Sequence, residues 1–306
     1  MKEVALAVDI GGTKLECALV DSSGRVRLGS LHRRATGNAV TLPVFAEALR
    51  AAVGATLKCL RPDDRLMGVG VGAAGPIDRN GDLISPHNMP GLVLTPLLEL
   101  IRPLVPDLPL RLRLDGTCIV VAEHWLGAAR GAHNALAIVV STGVGGGLIL
   151  EDRLVTGKSG NAGHVGQIQI RRRQPGSPID SGTLESIASG PRTVAWAQAQ
   201  GWVGQTGEHL ADAYASGNVV ARKAVRRSAR AVGSAIVSVA TLLDLEIAVL
   251  GGGFVNVAAD YIDIVRGHVE RSAIHEYARR IVIEPSGLSG TGPIVGAAAL
   301  VFSELG

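Results

Sequence analysis

Val4–Val8 is an unbroken apolar run that stops at Asp9, and a second run from Leu15 to Val20 follows the turn Gly11-Gly12-Thr13-Lys14. Two short apolar stretches around a glycine turn predict antiparallel strands, with a third strand from Arg25 to about His32 after Asp21–Gly24. From Pro43 to Leu60 the spacing becomes helical, with Val44, Ala48, Ala52, Ala55 on one row and Leu49, Val53, Leu57 on the next. This predicts a helix with proline in its first turn. Leu66–Val71 reads as a buried strand, Leu97–Leu104 as a short helix, and Leu110–Leu114 as a strand ending at Asp115-Gly116-Thr117. A helix capped by Thr117 is expected to run to Arg130, with Gly131 marking its exit.

The opening pattern then returns. Leu136–Val140 is apolar, Ser141–Gly147 is a glycine-rich turn, Leu148–Leu150 is apolar again, and Glu151-Asp152-Arg153 turns. Helical spacing follows at Arg192–Ala199 and Asn218–Leu243. A buried strand at Glu246–Leu250 ends in Gly251-Gly252-Gly253, and Pro293–Leu305 reads as a closing helix. Two strand–turn–strand units, one opening each half, imply a duplicated fold. A chain of 306 residues is long for one core, so two lobes are expected. The expected boundaries are 1–114 for the first, 115–290 for the second, and 291–306 for a helix returning to the first.

Composition narrows the class. Hydrophobic residues at 47% and charged residues at 19% exclude a disordered chain. With 40 glycines and only 3% aromatics, an α/β protein with tight turns is favoured over a base-stacking surface. The net charge is +3. The basic residues cluster at Arg171–Arg173 and at Arg222, Lys223, Arg226, Arg227 and Arg230. The second set has helical spacing beside an apolar stripe and reads as a solvated face. Without interleaved aromatics neither set points to nucleic acid. Cys17, Cys59 and Cys118 form no CxxC pair and no disulfide framework, so a cytoplasmic home is expected. Neither a signal peptide nor a membrane-spanning apolar run is expected.

Three glycine patterns need separating. Gly70-x-Gly72-x-x-Gly75 matches a dinucleotide fingerprint, which must open a helix. Here Pro76-Ile77-Asp78-Arg79-Asn80-Gly81 follows and reads as a turn and a strand. Gly157-Lys158-Ser159 has the tail of a P-loop, but Asp152 stands where its first glycine is required. Asp9-Ile10-Gly11-Gly12-Thr13-Lys14 differs from both. A carboxylate at a strand end, followed by glycines and a hydroxyl, suits a phosphate bound with Mg²⁺, with Asp9 facing the metal. Alone it is also a plain hairpin turn. Ser141-Thr142-Gly143-Val144-Gly145 repeats it after a matching strand. Gly251–Gly253 then leaves a strand end bare enough to admit the flat face of adenosine.

With these motifs the chain resembles the ROK family of repressors and sugar kinases, a branch of the actin–hexokinase–Hsp70 superfamily. The resemblance implies a two-lobed actin-like ATPase (ribonuclease H-like) α/β fold with a duplicated mixed sheet. Asp9–Lys14 is similar to its first phosphate motif, Ser141–Gly147 to its second, and Gly251–Phe254 to its adenosine motif. Gly72–Asp78 and Asn88–Gly91 are similar to its sugar-side loops, and Arg113–Glu123 to the stretch that carries its catalytic aspartate. Gly160–Gln167 and Leu184–Gly190 are similar to its sugar and zinc segment.

What the resemblance implies is ATP-dependent phosphorylation of a hexose or modified hexose at a primary hydroxyl, O6, with Asp115 as general base. ATP and Mg²⁺ would be held by Asp9, Gly11, Gly12, Thr13, Lys14, Thr142, Gly143, Gly145, Gly251, Gly252 and Gly253. The sugar would meet Gly75, Pro76, Asn88, Asp115, His164, Gln167 and Glu185. A homodimer is expected. The chain departs from the family pattern in three places. Leu114 replaces an asparagine before the aspartate, His164 and Gln167 stand where a Glu and a His are usual, and Gly176–Thr183 lacks the family's three cysteines. No zinc site is therefore expected. His164 in place of Glu exchanges an obligate acceptor for a group that also donates. That favours an amino- or acetamido-sugar over plain glucose. Family repressors place a DNA-binding domain before this part, and a first phosphate motif at Asp9 leaves no room for one. A sugar- or nucleotide-binding pseudokinase without turnover stays open as the alternative.

Overall fold

The structure is a computed structural model and describes residues 1–78, 83–303 and 305. The turn read at Arg79–Gly81 lies outside the described residues. Two compact units emerge, one from 1–130, 153–163 and 288–306, the other from 131–152 and 164–287.

In the first unit, β1 (Lys2–Ile10) pairs antiparallel with β2 (Lys14–Asp21), with Asp9 opposite Glu16. Strand β3 (His32–Ala35) extends the antiparallel side. It does not begin at Arg25: Val26 makes only an isolated bridge to Val20. The segment between bends instead, because Ser30 Oγ accepts from Leu19 N at 3.0 Å and Arg27 is drawn to Asp64. Helix α1 (Leu42–Leu57) buries Phe45, Leu49 and Val53 on the strands, as its spacing requires. On the other side of β1, β4 (Asp64–Ala73) runs parallel to it. A small antiparallel sheet follows, β5 (Ile77–Asp78), β6 (Leu83–Ile84) and β7 (Thr95–Pro96), then the short helix α2 (Leu97–Ile101). Strand β8 (Leu110–Leu114) lies parallel to β4.

Helix α3 (Asp115–Leu126) begins two residues before the expected start, and Thr117 is buried inside it rather than capping it. The closing helix, Gly292–Phe302, packs Ile294, Ala297 and Ala298 against Ala5, Ala7, Ala18 and Val20. Its Gly296 sits on the Cys118 carbonyl of α3. This contact keeps α3 in the first unit, so the boundary expected at 114/115 falls at 130/131.

The Arg27 guanidinium clasps Asp64, Nη2 reaching Oδ1 at 2.6 Å, and the Arg61 amide adds a bond of 2.6 Å. These partners hold the Asp64 carboxyl down to about 2. An unfolded aspartate titrates near ~3.9, so this contribution is complete above that value and fades as pH falls toward 2. Asp64→Asn is expected to cost about 2 kcal/mol at neutral pH, between the values for exposed and buried pairs. It should also flatten the acid limb of the stability curve. Urea melts of both proteins at pH 3, 4 and 7 check this, and parallel curves would contradict it.

The second unit repeats the plan. Strand β9 (Ala135–Val140) pairs antiparallel with β10 (Val144–Leu150). The strand Ile247–Gly251 is parallel to β9, and Val282–Pro285 is parallel to that. The order therefore matches β2, β1, β4, β8 in the first unit. Strand β10 starts inside the glycine run, earlier than expected, because Gly145–Gly147 pair with β9. Helices α4 (Leu184–Ala188), α5 (Gly190–Ala199), α6 (Gly207–Ala215), α7 (Val219–Leu243) and α8 (Tyr261–Ser272) complete the unit. Asn218 caps α7 through Oδ1, accepting from Val220 and Ala221 at 3.0 Å. Arg222, Lys223, Arg226 and Arg230 are exposed, as a solvated face should be. Arg227 is not: it is half-buried over Trp196 and donates to Ile187 O at 2.8 Å. Burial, with Arg171 nearby, pushes its guanidinium down to about 10.

Candidate functional site

In the first unit the parallel strands β1, β4 and β8 end at one edge, and their carboxyl ends carry the polar groups. Asp9 lies opposite Gly72, and Ala73 opposite Leu114, so Asp9 and Asp115 reach the same edge from two strands. This is where ligands bind in open α/β sheets. Asp9 is 6% exposed, with Oδ1 over Gly72. Its carboxyl is pushed up to about 7, first by burial, then by the charges of Asp115 and Glu16, with Lys14 opposing. Asp115 starts α3, and its Oδ1 accepts from Gly116 N at 2.6 Å. A helix N-terminus favours a carboxylate there. Cys118 lies in the same neighbourhood, but burial and both aspartates raise its thiol well above the ordinary range. It is therefore no nucleophile.

The Gly11–Lys14 turn is closed by Gly11 N donating to Lys14 O at 2.9 Å. The Lys14 ammonium bonds Glu16 at 2.6 Å, and Arg33 binds the other oxygen of Glu16 at 2.5 Å. Asn88 packs directly on Gly12, where a β-carbon would displace it. A residue expected on the sugar side thus touches the Gly11–Lys14 turn. Gly75-Pro76 is a cis peptide. The next residue, Ile77, is held by Asn161, whose Oδ1 accepts from Ile77 N at 2.7 Å while Nδ2 donates to Ile77 O at 2.6 Å. Asparagine can imitate a strand neighbour this way because its amide both donates and accepts.

In the second unit, the turn at Ser141–Gly143 is tied to the α4–α5 junction. Gly190 N donates to Ser141 O at 2.9 Å, and Glu185 Oε2 accepts from Val144 N at 2.8 Å. His164 and Gln167 are exposed and flank the short turn that places Gly166 on the Val144 carbonyl. Gly252 has φ of 96° and lies on the Val140 carbonyl, so only glycine suits it. A cavity of about 710 Å³ opens beside these elements. Ser141, Thr142, Gly190, Gly253 and Phe254 line it, together with Gln198, Gln205, Glu208 and Asn256. The structure therefore brings Thr142 and Gly253 to one pocket of drug-ligand size. Sequence reasoning missed these four polar residues, which come from α5, the segment leading into α6, α6 itself and the turn after Gly253. Thr206 capping α6 was the one local signal, since a cap fixes Glu208 in the first turn.

Among the described residues no three His, Cys, Asp or Glu side chains gather to hold a metal ion, and no helix is long and apolar enough to cross a membrane.

The profile of the ROK family matches residues 5–304. The N-acetylmannosamine kinase of Escherichia fergusonii is 33% identical over 282 residues, covering 88% of this chain and 90% of that one. A ROK family glucokinase from Streptomyces griseus, solved in complex with glucose and AMPPNP, superposes with a TM-score of 0.82 at 28% identity. That match covers 97% of this chain and 99% of the other. A ROK hexokinase from Thermus thermophilus gives 0.77 at 27% identity, covering 100% and 99%. The duplicated mixed sheet is thus that of the actin-like ATPase fold, and the chain belongs to the ROK family.

Proposed function

We propose that this chain is an ATP-dependent sugar kinase that phosphorylates a hexose or modified hexose at a primary hydroxyl, O6, with Asp115 as general base. The observation that carries the reading is the convergence of Asp9 and Asp115 on one strand-end edge, next to a glycine turn. A sugar hydroxyl is a poor nucleophile, and a carboxylate within reach takes its proton as it attacks the γ-phosphoryl. Relatives of the enzyme class support it, being N-acetylmannosamine kinases and a glucokinase.

The nucleoside belongs in the cavity beside Thr142 and Gly253, and the phosphates on Gly11–Lys14 and Thr142–Gly145. Asp9 would hold Mg²⁺ through water. A carboxyl pushed up first by burial and then by a second carboxylate fits a neighbouring dication, whose charge offsets both. When bound, the ion supplies positive charge to the phosphate oxygens. Asp115 orients the hydroxyl and accepts its proton, while Asn88, Gly75-Pro76, His164, Gln167 and Glu185 supply the sugar contacts.

Leu114 and His164 depart from the family pattern, and curated relatives such as the Escherichia fergusonii N-acetylmannosamine kinase carry an acetamido-sugar in their name. An ADP-release screen over hexoses, hexosamines and N-acyl hexosamines is expected to rank an acetamido-hexose above glucose. Release with none of them would favour the pseudokinase reading.

The zinc site of the family pattern needs four ligands, and Gly176–Thr183 offers no thiolate. Elemental analysis is expected to find far less than stoichiometric zinc, and a chelator should leave the melting temperature unchanged. Stoichiometric zinc, whose loss forfeits on the order of 10 kcal/mol, would overturn this.

A further inference from the structure

Val144 stands at the mouth of the second glycine-rich turn, opposite Val140 in the ladder. Its N–H donates to Glu185 Oε2 at 2.8 Å. Gly143, the residue before it, lies so close to the same oxygen that a β-carbon there would sit 2.8 Å from it. On the other side of the peptide, Gly166 packs on the Val144 carbonyl. The helix that carries Glu185 is itself fixed: Thr183 Oγ1 accepts from Ser186 N at 3.2 Å, and Leu184 N donates to Ile168 O at 2.8 Å. Two residues after α4 ends at Ala188, Gly190 N donates to Ser141 O. The turn is thus pinned at both of its ends, Val144 by the first turn of α4 and Ser141 by the α4–α5 junction.

We propose that Glu185 is a positioning residue for the phosphate-binding turn: its carboxylate holds the Val144 peptide and so sets the backbone of Ser141–Gly145. The inference rests on the function proposed above and deepens it. Resemblance assigns Glu185 to the sugar. The geometry gives it a second task, with Oε2 on the turn and Oε1 on the same carboxylate available to a sugar hydroxyl. One side chain then couples the sugar to the segment that receives the nucleotide phosphates. A movement of the carboxylate on sugar binding is passed directly to Val144.

Three substitutions separate reach from charge. Glu185→Gln keeps an oxygen at the same distance that accepts from Val144 N–H. Glu185→Asp keeps the charge but is one methylene too short, and Glu185→Ala removes both. Amide exchange at Val144, measured on the whole chain without ligands, is expected to quicken about tenfold in Asp and Ala and to stay near wild type in Gln. AMPPNP affinity without sugar should fall about tenfold in Asp and Ala and within about twofold in Gln. If Ala does not fold, the Asp and Gln pair still decides. Asp matching wild type in both measurements overturns the proposal, and so does Gln behaving like Asp, because charge rather than reach would then be at work. A wild-type chain that binds no AMPPNP, while its Val144 amide still depends on the length of residue 185, would sink the kinase reading and leave the positioning contact standing.

Discussion

Asp115→Asn is expected to lower kcat by about 10²–10⁴-fold, the range for a lost general base. The substitution is close to isosteric, and the asparagine Oδ1 can keep the bond from Gly116 N, which is 2.6 Å in the native chain. What it cannot do is accept the proton of the attacking hydroxyl. Nucleotide affinity should barely move, because the nucleotide contacts proposed above, Gly11–Lys14, Thr142–Gly145 and the cavity beside Thr142 and Gly253, do not include Asp115. The decisive experiment pairs steady-state kinetics on the best sugar with AMPPNP titration. A mutant keeping more than about a tenth of the native kcat removes Asp115 from the role. Loss of AMPPNP binding together with kcat would instead mean that the start of α3 had been disturbed.

Much of the frame was legible because burial imposes period and punctuation. The apolar run Val4–Val8 stopping at Asp9, and Leu110–Leu114 stopping at Asp115, mark the two strand ends where the carboxylates sit. The recurrence at Leu136–Val140 foretold the repeated strand order. Errors arose where a long-range contact outweighed local pattern. Val26 looks like strand, but the pull of Arg27 toward Asp64, 37 residues away, bends that segment out of the ladder. Thr117 looks like a cap, but packing against the closing helix carries the helix start to Asp115. Arg227 stands at helical spacing from Lys223 and Arg230, yet Trp196 from another helix covers it. The polar lining of the cavity, such as Gln198 and Asn256, is indistinguishable in sequence from solvated surface. The Glu185–Val144 bond spans 41 residues and has no periodic trace at all.

Gly70→Ala is expected to destabilise the first unit by about 3 kcal/mol or more, as overpacking against a backbone does at the upper end of its range. Gly70 lies in β4 on the side of the closing helix, and a β-carbon there would collide with the Ala297 carbonyl. A flexible side chain could yield, but this obstacle is the backbone in the middle of a helix. The helix would have to retreat, opening the contact of Ala297 and Ala298 with Ala5, Ala7 and Ala18. That layer is built from small residues so that strand and helix approach closely, and it has no longer side chain to fill the gap. The same close approach explains the Gly70–Gly75 pattern that resembles a dinucleotide fingerprint: Gly70 meets a helix backbone and Gly72 leaves room for Asp9 and Cys118. Gly54→Ala is the control, since an added methyl in α1 meets nothing within 4 Å. It should gain up to about 1 kcal/mol from helix propensity. Thermal melts would then show Gly70→Ala falling by roughly 6–12 °C and Gly54→Ala holding or rising. A Gly70→Ala protein melting within a degree of the native chain would mean that the closing helix does not press on β4 at that point.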